Sequence, residues 1–176
     1  MMLRNIFTIL CCLPLMAAAV DALELNGLRP RISKSALNQR MPALKCTPET
    51  KVQEYSECTY VRTNPNQEAV NALNNLGGEL VESWEFRFDG DVLGRIVVSL
   101  DPIAFDKVVS ALRAKFGEPT GKSSETLYNR AGAPVISRQF TWGRNGQTMV
   151  ATEFAGRMGR SVVSLASDAH LNKARA

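Results

Sequence analysis

Between Val81 and Phe88 the rings of Trp84, Phe86 and Phe88 alternate with Glu85 and Arg87. This spacing of two constrains the chain more than any other feature, because a strand with one buried face is what puts the three rings on one side and the charges on the other. Asp89-Gly90-Asp91 then turns the chain, and Val92 to Leu100 returns with Gly94, Ile96, Val98 and Leu100 on one face. A three-residue loop sets Trp84 opposite Ile96 and Glu85 opposite Arg95. A two-residue loop sets Trp84 against Arg95, so side-chain chemistry predicts the longer one.

Asp101-Pro102 supplies a cap acceptor and a proline suited to a first helical turn. A helix is predicted from there to about Phe116, with Phe105, Val109, Leu112 and Phe116 forming one apolar stripe and Gly117 and Pro119 ending it.

Residues 1–22 combine Arg4, an apolar run from Ile6 to Leu15 and small residues up to Ala22. This is the pattern of a cleaved export signal, with the cut expected after Ala22, or after Ala19. Cys11 and Cys12 do not follow the small residue that a lipid-anchored signal requires, so a periplasmic or secreted product is expected. The Ile6–Leu15 run is too short to span a bilayer, residues 23–176 hold no other apolar run near 18 residues, and their net charge stays at the mild +4 of the whole chain. Cys46 and Cys58 remain, an even number in an oxidising compartment, and are expected to pair. Closing that loop contributes about 3 kcal/mol in the chain-entropy model. A redox-active pair commonly has the CxxC spacing that is absent here.

Along the rest of the chain, Leu25-Asn26-Gly27-Leu28 reads as a short strand and Ser33 caps a helix from Lys34 to Met41. Arg29, Arg31, Lys34, Arg40 and Lys45 lie in a stretch without acids, a candidate patch for an anionic envelope polymer or lipid. No aromatic residue interleaves with these bases, which argues against nucleic acid. Asn64-Pro65 opens a second predicted helix, from Pro65 to Leu76, that Gly77-Gly78 ends. From Glu68 to Asp106 eight acids face two bases, so charge is segregated along the chain.

Glu125 to Tyr128 is a strand candidate and Ala131 to Pro134 a turn. The clearest hairpin follows: Ile136, Arg138, Phe140 and Trp142 alternate with polar residues, and Asn145-Gly146 is the favoured two-residue turn. That turn sets Trp142 opposite Met149, Phe140 opposite Ala151 and Arg138 opposite Glu153. A last strand is expected from Ser161 to Ser167, and residues 169–176 read as a flexible tail. His170 is the only histidine. In a loose tail it lacks the second group that orients a general base or a metal ligand. Ser-His-Asp and Cys-His chemistry are excluded on that ground. Asp89 and Asp91 lack the downstream acids of a calcium loop. No metal, cofactor or catalytic constellation is expected.

Two segments, Leu25-Asn26-Gly27-Leu28 with Ser33-Lys34-Ser35-Ala36-Leu37, and Trp84-Glu85-Phe86 through Ala111-Leu112 to Lys115-Phe116-Gly117-Glu118-Pro119, make the chain resemble the β-lactamase-inhibitor-protein superfamily, with its BamE-like small envelope proteins. Arg31-Ile32 stands where the BamE-like members have a Gly-Met pair. The resemblance implies inhibition of an envelope enzyme by a plugging loop, either Asp89-Gly90-Asp91 or Arg144-Asn145-Gly146.

The expectation is therefore an α+β domain over residues 23–168, an antiparallel sheet with helices on one face, in two helix-plus-hairpin modules (about 23–100 and 101–168) sharing a core. Its expected role is non-catalytic binding of an envelope protein, with the anionic polymer or lipid as the alternative partner.

Overall fold

The computed structural model describes residues 22–41, 44–47, 56–61, 73–156 and 158–175. The expected export signal, and residues 65–72 of the helix expected after Pro65, lie outside them.

The elements follow in the order α1 (Lys34–Arg40), β1 (Lys45–Thr47), β2 (Ser56–Val61), β3 (Asn75–Leu76), β4 (Glu79–Asp89), β5 (Val92–Leu100), a 3-10 turn (Pro102–Ala104), α2 (Phe105–Phe116), β6 (Gly121–Tyr128), β7 (Pro134–Arg144), β8 (Gln147–Thr152), β9 (Ser161–Ser167) and α3 (Asp168–Lys173). The class is α+β, and every strand pair is antiparallel. The strand order is β1-β2-β4-β5-β9-β8-β7-β6, with β3 beside β4. Two meanders therefore meet at the β5–β9 seam.

The registers align apolar partners in rows across the sheet. One row runs Cys58, Phe86, Ile96, Leu165, Met149, Trp142; the next runs Tyr60, Trp84, Val98, Val163, Ala151, Phe140. Cross-strand neighbours of this kind are the unit of sheet stability. The α2 stripe of Phe105, Val109, Leu112 and Phe116 is buried in the same core, with Val108. Asp101 accepts a hydrogen bond from Ile103 N, Phe105 stacks on Phe140, and Trp142 Nε1 donates to Gly117 O at 2.9 Å.

The second hairpin has the register that its Asn145-Gly146 turn demands, with Trp142 opposite Met149 and Phe140 opposite Ala151. Asn145 and Gly146 are both left-handed, at φ 52° and 70°. The first hairpin differs from expectation. Asp89 pairs with Val92 across a two-residue turn, and a bulge between Arg87/Phe88 and their partners then sets Phe86 opposite Ile96, Trp84 opposite Val98 and Arg87 opposite Arg95. The bulge, at Gly94, restores the parity that a two-residue loop alone would break, so the rings still face the core. Glu85 is matched by Arg87 on its own strand rather than by Arg95.

Three further expectations are corrected. Leu25 to Leu28 is a turn, not a strand: Asn26 and Gly27 are left-handed, and Leu25 and Leu28 exchange both backbone hydrogen bonds at 2.9 Å. Asn75 and Leu76 form β3, because Gly77 and Gly78, at φ 61° and 85°, fold it straight back onto β4. A Cβ on Gly77 would press on Ala111 of α2 at 2.8 Å, so the turn also needs the missing side chain for space. Residues 169–173, the start of the expected flexible tail, are helical: α3 opens at Asp168, is capped by Ser167 and is anchored by a buried His170.

Candidate functional site

Cys46 and Cys58 face each other on β1 and β2 and are joined. The loop candidate Asp89-Gly90-Asp91 does not project as a plug. Asp91 O accepts from Lys34 N at 2.9 Å, and Ser33 bridges Val92, so the start of α1 lies along the tip. On its other side Asp89 Oδ2 lies 2.7 Å from His170 Nδ1, and Lys173 Nζ approaches Asp89 Oδ1 at 3.7 Å. The signal for this in the sequence is slight: a Ser167-Asp168 cap and a lysine five residues on, in a helix too short to show a stripe.

The basic candidates disperse. Lys34 lies over the Phe88 ring, 5.7 Å from its centre, and reaches Ser56 Oγ. Arg40 is exposed at the end of α1, and Lys45 on β1. Arg29 and Arg31 stay together, both exposed. Arg31 is left-handed at φ 80°, a conformation that costs a residue with a Cβ about 1 kcal/mol. It is held there by a hydrogen bond from Arg31 N to Leu93 O at 2.8 Å, followed by one from Leu93 N to Ile32 O at 2.9 Å. The segment thus crosses the end of β5 and carries the Arg31 guanidinium to the Asn145-Gly146 turn. Two candidates far apart in sequence, the basic segment and the second loop, become neighbours. Arg144, the first residue of that loop candidate, turns away and donates to Phe116 O at 3.1 Å. A cleft of about 290 Å³ lies between them, lined by Arg29, Arg31, Asn145 and Gln147 among others.

At the opposite end of β7 the chemistry is apolar and open. β6 ends the sheet, is exposed from Lys122 to Thr126, and pairs with β7 without a bulge. Tyr128 is 70% exposed and Ile136 55%. Tyr128 and Met158 border a cleft of about 710 Å³ with Glu125 and Arg130.

Among the described residues two carboxyls have altered acidity. The Arg138 guanidinium, donating to both oxygens of Glu153 at 2.8 Å, holds that carboxyl below its usual range. Burial, and then the charge of Glu85, push Glu57 upward, against the pull of Arg87. Both lie within ion pairs of the sheet. Among the described residues no group of three His, Cys, Asp or Glu side chains converges as a metal site would, and no helix is long and apolar enough to cross a membrane. Comparison with family models, with curated proteins and with solved structures gives no match for this chain.

Proposed function

We propose that the chain is a non-catalytic binding protein of the bacterial envelope, exported by its first 22 residues, whose protein partner adds along β6. The observation that carries this reading is the edge itself. Eight residues of regular strand close the sheet, six of them exposed, and Tyr128 and Ile136 stand exposed at one end. An extended partner segment gains backbone hydrogen bonds along such an edge and specificity from the side chains beside it. The Cys46–Cys58 bond supports an oxidising compartment.

In this reading α1 and α2 cover one face of the sheet, the two helix-plus-hairpin modules are joined at β5–β9, and inhibition of an envelope enzyme is one form the binding takes. With Asp89 and Asp91 tied to α3 and α1, the edge rather than that loop is the inhibitory element. The kinship to the inhibitor superfamily remains part of the proposal.

The test is capture from envelope extract with residues 23–176, washed at low and high salt, beside Thr126→Lys and Tyr128→Ser variants. A salt-resistant partner lost with either variant supports the edge. A partner indifferent to both, or recovery of salt-labile polymer alone, overturns it.

A further inference from the structure

The cleft at the other end of β7 has its own chemistry. Arg29 and Arg31 enter it from one wall, and neither forms an ion pair among the described residues. Gln147 stands on the other wall, at the first residue of β8. It is only 7% exposed, yet its Oε1 is buried without a hydrogen-bond donor among the described residues. Burying an amide oxygen unmade costs about 1–3 kcal/mol, and such an exception in a well-paired sheet calls for a reason. The left-handed backbone at Arg31 is a second cost at the same place. Pro30 and Ile32 give the cleft an apolar side.

We infer that the cleft formed by Arg29, Arg31, Asn145 and Gln147 binds an anionic sugar, one that presents a phosphate or carboxylate to the two arginines and a hydroxyl donor to Gln147. Guanidinium groups match the planar or tetrahedral oxygens of such anions in pairs. The last torsion of a glutamine is broad and roughly two-fold, so the Gln147 amide turns to meet the ligand at little cost. Inorganic phosphate offers the arginines its charge and Gln147 a P–OH, but lacks the ring and its hydroxyls that would fill the cleft; a neutral sugar supplies hydroxyls without the charge. The cleft, about 290 Å³ with Ala22, the residue before the expected cut, among its walls, is of a size for one sugar ring. The adjoining cleft, of about 310 Å³, shares Arg29 and adds Lys115, whose charge is already matched by Glu24 at 2.8 Å. The ligand charge is therefore read at Arg29 and Arg31.

The experiment follows amide shifts in residues 23–176 on titration with glucose 1-phosphate, glucuronate, inorganic phosphate and glucose. A second arm uses phosphatidylcholine vesicles with and without phosphatidylinositol, whose head group is a polyol phosphate. The expected result is saturable binding of a sugar anion, with shifts confined to residues 29–32 and 145–147 and affinity about tenfold or more above that for inorganic phosphate. Arg31→Asn, which tolerates the left-handed backbone, weakens it about tenfold, and so does Gln147→Leu. Arg40→Gln, on the far end of α1, leaves it unchanged. Free sugar anions and vesicles distinguish a soluble ligand from a lipid head group, and either must be lost with Arg31→Asn. Inorganic phosphate bound as tightly as glucose 1-phosphate, equal loss with Arg40→Gln, or no saturable binding of any probe overturns the assignment. Binding that survives Gln147→Leu in a folded variant overturns it as well.

Discussion

His170 Nδ1 lies 2.7 Å from Asp89 Oδ2, so the last helix of the chain is fastened to the tip of its central hairpin. Gly94 makes room for the pair. A Cβ there would meet the imidazole and would lie 2.6 Å from Asp89 Oδ2. Gly94→Ala should cost about 2 kcal/mol, the usual scale for overpacking a closed site. His170→Ala removes one of the two groups in the way, so the double variant should be distinctly more stable than the two single losses predict. Urea unfolding of the four proteins measures the coupling. Simple additivity would mean that the two residues do not share that space.

Arg138 and Glu153 give a dependence on pH. The depressed acidity of Glu153 in the folded chain makes its contribution fully present above the unfolded carboxyl value of about 4.3, and lost as pH falls through the lower folded value. Glu153→Gln should cost roughly 1 kcal/mol at neutral pH, modest because the Arg138 side of the pair is 41% exposed. The difference from the parent should narrow as unfolding is repeated at pH 4 and then about 3. A gap that stays constant with pH would assign the loss to packing.

Glu57 should behave in the opposite sense. Its acidity is displaced upward by burial and by Glu85, so its charge is tolerated rather than favoured. The stability it contributes is present below the unfolded carboxyl value and lost as pH rises through the higher folded value. Glu57→Gln is therefore expected to raise the unfolding midpoint slightly at pH 7 and to leave it unchanged at pH about 3.5. A lower midpoint at neutral pH would show that the 3.8 Å contact with Arg87 outweighs both effects.

The Cys46–Cys58 bond offers the fourth prediction. Cys46→Ser with Cys58→Ala should cost about 3 kcal/mol, and added reductant should lower the midpoint of the parent alone. Equal midpoints with and without reductant would remove the bond from the stability of this chain.

How far the sequence revealed these features depends on how local their causes are. The second hairpin was legible because a left-handed Asn-Gly turn and two apolar pairs specify one register between them. The first was misread because its register shifts at Gly94, a position with no local signal in the sequence, where the neighbour His170 is brought in only by the fold. α3 was missed because six residues are too few to display a periodic stripe. The five bases from Arg29 to Lys45 looked like one patch. The chain then reverses through a left-handed Arg31, and the neighbours that matter to it, Asn145 and Gln147, come from the other half of the molecule.

The order in which the strands were laid down has a consequence for biogenesis. β9, the last of the described strands along the chain, fills a place in the middle of the sheet, between β5 and β8. Until it arrives β5 presents an open edge carrying Ile96 and Val98, whose partners Leu165 and Val163 are still missing. No amino-terminal portion of the chain closes its own sheet, and a chain halted before residue 161 exposes the kind of apolar edge on which nascent proteins associate.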